Sequence, residues 1–477
     1  MYQKLTTCIL LTCMLASLAA GAQTGGISVW LTTADRSAVF QQQADQLRFG
    51  AAPGAPPLIS IDGTKQFQRM DGFGFALTGG SADHIVHMSA AARKALLHRL
   101  FGTTPDAIGV SYLRLSIGAS DLNARVFSYD DVPGDTALAH FDLGEDKLNV
   151  IPVMKEILSI NPGIKIMGSP WSPPAWMKTN GDTRGGRLLP AYYPLYARYL
   201  LMYIQAMKKN GIAIDAITIQ NEPLHPGNNP SLLLTAPEEA EFIKHDLGPL
   251  FRQQRIGTKI LIYDHNADRP DYPISVLNDR EAAQYIDGSA FHLYGGTMNA
   301  LSDVAEAHPG KNIYFTEQMV VQYNRRGDDA PGNLNIVSPV SRLMIDAPRN
   351  WSRNVLLWNL AADPQFKPYT DRGGCSSCQG AVTIDKDSVA YNLAYYAMAH
   401  ASKFVRPGSI RIASSLPDSL PNVAYLTPAG ERVLIVANTG HREQHFTIVD
   451  QRRSAAAFLQ ARSVATYIWK SPKTSSK

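Results

Sequence analysis

The chain has 477 residues, of which 45% are hydrophobic and 18% charged, with 36 glycines and 30 prolines. That composition suits a turn-rich globular protein with one large and one small domain, and it excludes extended disorder. A net charge of +4 with no basic cluster excludes nucleic acid or another polyanion as partner.

Residues 1–22 carry one lysine, Lys4, then an apolar run through Leu18, then Ala20-Gly21-Ala22, the small-x-small pattern of a signal-peptidase site. The expected mature chain starts at Gln23 and is secreted or periplasmic. The leader is too short for a stable membrane span. No later stretch reaches the roughly 18 uninterrupted apolar residues of one, so no stable membrane insertion is expected. Cys8 and Cys13 leave with the leader, so Cys375 and Cys378 remain, in GGCSSCQG at 373–380. In an exported chain this pair reads as a local disulfide pinning a loop. A zinc half-site would want a second ligand pair, and a redox C-x-x-C would open a helix.

Two short β-branched segments, 27–32 and 58–61, precede any helix. From Asp71 a strand-helix rhythm begins. Strands are predicted at 72–78, 109–116, 165–169, 213–220, 259–264, 289–294, 312–317 and 354–359, and helices at 89–101, 147–160, 192–209, 237–254, 279–286 and 388–402. Eight strands in βα alternation is the count of a closed parallel (β/α)8 barrel. Beyond Pro407-Gly408 the period shortens to strands at 410–413, 423–426, 432–438, 445–448 and 463–469, an all-β sandwich. The two early strands have nowhere to pair in a complete barrel and are expected to join it. The expected organisation is a leader at 1–22, N-terminal strands of the sandwich at 23–66, the barrel at 67–403 and the rest of the sandwich at 404–477.

Active sites of such barrels sit at the carboxyl ends of the strands. Ala216-Ile217-Thr218-Ile219-Gln220-Asn221-Glu222-Pro223 ends strand four on a glutamate, and Asn312-Ile313-Tyr314-Phe315-Thr316-Glu317 does the same for strand seven. Either glutamate alone would read as a solvated loop residue. Two that meet across one cavity supply what glycoside hydrolysis requires, a protonated acid and an ionised nucleophile or base. The other strand-end residues are Asp121, Trp171, Asn221, Asp264, His265, Asn266, His292, Tyr294, Gln318, Trp358 and Asn359. Carboxylates, amides and aromatics suit a sugar, which offers hydroxyls and apolar CH faces. Arg114 could be a buried ion-pair partner and His292 a supporting residue behind the site. No H-E-x-x-H, Walker or complete dinucleotide fingerprint occurs, so no metal or cofactor is expected.

QRMDGFGFALT at 68–78, SPWSPPAWMKTNG at 169–181, QNEP at 220–223 and YFTEQ at 314–318 together resemble glycoside hydrolase family 30, and the likeness extends to VATYIW at 464–469. The resemblance implies a (β/α)8 barrel with a β-sandwich built from both chain ends, and a retaining mechanism. It casts Glu222 as acid/base and Glu317 as nucleophile, and Asp121, Trp171, Asn221, Tyr294 and Trp358 as substrate contacts, to which the strand-six position adds His292. Asn221 would hold the sugar 2-hydroxyl and Tyr294 orient the nucleophile, with Arg114 and Asp264 in support. Burial is expected to keep Glu222 protonated, and Arg114 with the Tyr294 hydroxyl to keep Glu317 ionised. The implied partner is a β-glucan oligo- or polysaccharide, alternatively a glycolipid. Asp264-His265-Asn266, the cysteine pair and Leu293 in His292-Leu293-Tyr294 favour endo-β-1,6-glucanase activity. A glucosylceramidase, another exo-β-glycosidase (glucoside, xyloside or fucoside) and an inactive glycan-binding barrel are the alternatives.

Overall fold

The computed structural model describes residues 26–50, 55–322 and 332–470. The leader expected at 1–22 lies outside them. Eight parallel strands close into a barrel in chain order: Gly72–Leu77, Tyr112–Ile117, Lys165–Pro170, Ala216–Thr218, Lys259–Ala267, Ile286–Gly296, Asn312–Glu317 and Ser352–Leu357. Among the described residues no helix is long and apolar enough to cross a membrane.

The barrel interior is built in layers, because side chains of a strand alternate between inside and outside. Tyr112, Met167, Ala216, Leu261, Ala290, Tyr314 and Leu356, one from each of seven strands, form a buried apolar plug. The first strand places Gly74 in register between Tyr112 and Leu356. Two residues further along the strands, the inward positions turn polar: Arg114, Ser169, Thr218, His292 and Thr316, with Ala76 and Trp358. The barrel is therefore an apolar plug carrying a polar floor.

Strand five reaches this floor by an irregularity. Its register with strand six shifts so that Ala290 pairs with Tyr263 and Phe291 with His265, which skips Asp264. Tyr263 and Asp264 both have positive φ, 75° and 51°. Such a bulge re-aims a side chain, and here Asp264 joins the floor.

The sandwich is a ten-stranded sheet folded over its own apolar core, which includes Ile27, Ile59, Ile412, Leu434, Phe446 and Tyr467. Gly26–Thr32 pairs with Val464–Lys470, and Leu58–Arg69 lies between Ile410–Ser414 and Gln444–Asp450. The long strand Leu58–Arg69 leads straight into the first barrel strand. At that junction the Arg411 guanidinium stands 3.7 Å from the Phe67 ring centre and 5.5 Å from that of Trp351.

Some elements differ from the sequence reading. The helix expected at 388–402 starts at Leu393, because Ser388–Tyr391 forms a hairpin with Val382–Asp385. Asn392 ends that strand, donating its side-chain amide to Gly380 O and Thr383 Oγ1. Strand four is only Ala216–Thr218. The helix at 237–254 contains a π-turn, Ile243–Leu247, and Arg453–Leu459 is an additional sandwich strand whose alanine-rich sequence gave no strand signal.

Candidate active site

Asp264 is fully buried and organises the floor. Its Oδ2 lies 2.7 Å from Arg114 Nη2, 2.7 Å from Ser169 Oγ and 2.9 Å from Thr218 Oγ1. Its Oδ1 lies 2.6 Å from Thr316 Oγ1 and 3.1 Å from His292 Nε2. Burial works against the charge, but Arg114 and the His292 hydrogen bond hold this carboxyl far below the usual range. Arg114, equally buried, turns Nη1 to Glu317 Oε2 at 2.6 Å and Nη2 to Asn221 Oδ1 at 2.7 Å. One guanidinium thus ties strands two, four, five and seven together at the level where chemistry is possible.

Above the floor opens a cavity of about 260 Å³, at the small end of ligand pockets. Asp121, Trp171, Asn221, Glu222, Tyr294, Glu317 and Trp358 line it. Glu222 sits past strand four with φ of 46°, its N–H donating to Asp264 O at 3.0 Å. Glu317 is the last residue of strand seven, and its Oε1 accepts from the Tyr294 hydroxyl at 3.0 Å. Tyr294 also accepts from the Met319 amide at 3.1 Å. Trp171 and Trp358 stack with ring centres 5.4 Å apart, and the Arg114 guanidinium lies 4.8 Å from the Trp171 ring centre. Trp176 packs elsewhere, donating to Asp130 O and meeting Tyr192 edge-on.

His292 stands behind the cavity wall, on the floor. It is fully buried behind Glu222 and is not among the cavity-lining residues. It bridges instead, with Nδ1 3.3 Å from Glu222 Oε1 and Nε2 toward Asp264. Its proton affinity bears on both glutamates of the empty cavity. Burial opposes the imidazolium, but Glu317, Asp264 and Glu222 raise it to about 9. At Glu222 burial is outweighed by that imidazole, which lowers the carboxyl in the empty cavity. At Glu317 burial, helped by the Glu222 charge, prevails over His292 and Arg114 and raises it. Burial, then Glu317 and Glu222, pushes Asp121 up to about 8. Burial alone dominates at His265, lowered to about 4.

The sequence reading did not single out His225, Asn228 and Met319, which also line the cavity, together with Asn266, Cys375 and Cys378. Asn228 Nδ2 donates to Glu222 Oε2 at 3.3 Å. These residues sit in aperiodic loops whose sequences carry no signal of where they fold.

Glu222, His292 and Glu317 each offer one ligand atom, all within 4.8 Å of one another. A cation there would compete with Arg114 for Glu317 and with Asp264 and Glu222 for the imidazole, so this donor set is already committed. What it can do without a metal is move protons between neighbouring carboxyls and attack an electrophilic carbon. Two carboxylate oxygens no more than 4.8 Å apart, on an aromatic-walled cavity at the carboxyl end of a (β/α)8 barrel, define a glycoside hydrolase.

The family follows from comparison. The glycosyl hydrolase family 30 TIM-barrel domain matches residues 70–405, and the family's beta sandwich domain matches residues 408–467. This chain belongs to glycosyl hydrolase family 30. It is 33% identical over 422 residues to the endo-1,6-beta-D-glucanase neg1 of Aspergillus fumigatus, covering 82% of this chain and 83% of that one. It is 30% identical to the lysosomal acid glucosylceramidase of Mus musculus, covering 87% and 84%. The solved structure of the endo-beta1,6-glucanase BT3312 superposes with a TM-score of 0.86 at 33% identity, over 94% of this chain and 100% of that one.

Proposed function

We propose that this protein is a retaining endo-β-1,6-glucanase in which Glu317 is the nucleophile and Glu222 the acid/base. The separation of the two carboxyls carries the reading. Retaining enzymes hold them about 5–5.5 Å apart, whereas inverting enzymes leave about 6.5–9.5 Å for a water, and these oxygens lie within 4.8 Å.

The division of roles follows from the contacts. Glu317 faces a guanidinium at 2.6 Å and a phenol at 3.0 Å, both of which stabilise a carboxylate as it attacks and as it leaves. Its oxygen bonds the anomeric carbon while the glucosidic C–O bond breaks. Glu222 gives the leaving oxygen a proton, then takes one from the water that releases the glycosyl-enzyme. In the empty site that proton resides on His292, and Nδ1 is 3.3 Å from Glu222 Oε1. A substrate that displaces water from Glu222 raises its proton affinity and draws the proton across. Asn221, its Oδ1 engaged by Arg114, turns its N–H groups to a sugar hydroxyl.

The β-1,6 linkage and endo action rest on the glucanase relatives and on the cysteine-bearing loop. Export rests on residues 1–22 alone. The test is the product profile over time on a β-1,6-linked glucan, beside glucosylceramide in detergent. An oligosaccharide ladder from the glucan with the lipid untouched supports the reading. Glucose from the lipid with the glucan inert replaces it with a glucosylceramidase, and no turnover of either leaves a glycan-binding barrel.

A further inference from the structure

The loop after strand eight returns over the cavity. Its two cysteines form a disulfide. Cys378 is 4% exposed and packs with Ala76, Leu122, Trp171 and Trp358, with Cys375 at the edge of the cluster. Both half-cystines line the cavity. A bridge spanning so few residues constrains the unfolded chain less than one closing a long loop. Its sulfurs, polarisable and packed beside aromatic rings, are placed to set local shape.

The same loop is tied to its neighbours on three sides. Thr370 N donates to Asp121 O at 3.0 Å, and the Thr370 hydroxyl to Asn229 O. Asn229 Nδ2 donates to Asp371 O and Oδ1, both at 3.0 Å, and Arg372 pairs with Asp182 at 3.0 Å. Gly373, at φ of 149°, lies so close to the loop after strand four that a Cβ there would stand 2.6 Å from Gly227 O. The next residue of that loop, Asn228, donates to Glu222. The disulfide turn is therefore fastened at one end to the tryptophan pair and at the other to the segment that steadies Glu222.

We propose that the Cys375–Cys378 turn is a specificity-determining wall of the sugar site, closing the cavity beside Trp171 and Trp358 and clamping the Asn228 loop, so that it selects which glucosidic linkage reaches the carboxylates. This rests on the glucanase reading above. A wall acts on substrate placement, so it is read in KM and in the ratio between linkages rather than in turnover.

The experiment compares parent and C375A/C378A enzyme on β-1,6-, β-1,3- and β-1,4-linked gluco-oligosaccharides of equal length. The expected result is a rise in KM for the β-1,6 substrate of about five- to tenfold, kcat within about threefold, and a reduced preference for β-1,6 over the other linkages. A variant with parental KM and linkage ratio, whatever its melting temperature, overturns the proposal. Should the double variant fail to fold, R372A frees the turn from Asp182 without touching either sulfur. It is expected to raise KM about two- to threefold in the same direction, and unchanged values there overturn the proposal equally. If the parent itself hydrolyses no glucan, the functional reading has failed, which is distinguishable from an active parent with an indifferent turn.

Discussion

His292 Nδ1 stands 3.3 Å from Glu222 Oε1, inside the barrel and away from solvent. Asp264, held ionised by Arg114, fixes the other ring nitrogen as a donor at 3.1 Å. The exchangeable proton of the empty site thus rests on Nδ1, one hydrogen bond from the Glu222 carboxylate that must receive it. Replacing His292 by Gln should keep the shape and lose the proton. Turnover of β-1,6-glucan is expected to fall about 10²- to 10³-fold, within the usual contribution of acid-base catalysis. With a dinitrophenyl β-glucoside, whose leaving group needs no proton, the loss should be much smaller. Equal losses on both substrates would remove His292 from the proton path.

The nucleophile and the acid should be separable by chemical rescue. Glu317→Ala and Glu222→Ala should each lower glucan turnover by at least about 10⁴-fold. Added azide should restore the Glu317 variant with an α-glycosyl azide product, because attack then comes from the face the carboxylate vacated. The Glu222 variant should give the β-azide on an activated glucoside. Proton NMR of the products reads the anomeric configuration, and the opposite pattern would exchange the two roles.

Most of the floor could be read two residues along from the apolar plug. Tyr112 leads to Arg114, Ala290 to His292, Tyr314 to Thr316 and Leu356 to Trp358 by strand alternation alone. Strand ends likewise gave Glu222, Glu317 and the two tryptophans. Alternation fails at strand five, where the same step from Leu261 arrives at Tyr263 and a bulge delivers Asp264 instead. Nor does spacing reveal that His292 faces Glu222 from behind. The pair is 70 residues apart in the chain, and its consequence for the glutamates is electrostatic, not periodic. The residues left unread, His225, Asn228 and Met319, lie in loops shaped by tertiary contacts such as those of Asn229 with Thr370 and Asp371.

Asp264→Asn tests whether the floor is structural as well as catalytic. The amide keeps the volume but must set its N–H groups either against the Arg114 guanidinium or against the His292 Nε2–H, and it strips Arg114 of one of its two anionic partners. Breaking a buried ion pair this way costs about 3–5 kcal/mol. A clear drop in melting temperature is expected, along with lost activity. An unaltered melting temperature would show that Glu317 suffices as the one anionic partner of the buried guanidinium, with Asn221 and Ser169 completing its hydrogen bonds.

Glu239 offers a pH test away from the chemistry. It is fully buried on helix Ala236–Phe242, with Oε1 accepting from the Tyr263 amide at 3.3 Å. Burial pushes its carboxyl up from 4.5 to about 8, against the Tyr263 hydrogen bond and with the Asp264 charge adding to the rise. The folded protein therefore keeps a proton between pH 4.5 and about 8 that the unfolded chain has released. Its stabilising contribution is complete below 4.5 and is lost as pH rises through about 8, with a slope of at most about 1.4 kcal/mol per pH unit. Asp121, raised to about 8, and His292, raised to about 9, have the same sign, so the parent should lose stability toward alkaline pH in any case. The diagnostic quantity is the difference between parent and Glu239→Gln in urea-unfolding free energy at pH 5, 6, 7 and 8. That difference should shift steadily in favour of the glutamine variant as pH rises, because the amide has no proton to lose. A difference independent of pH would mean that Glu239 titrates alike in the folded and unfolded states, and that its burial is relieved by a contact outside the hydrogen bond to Tyr263.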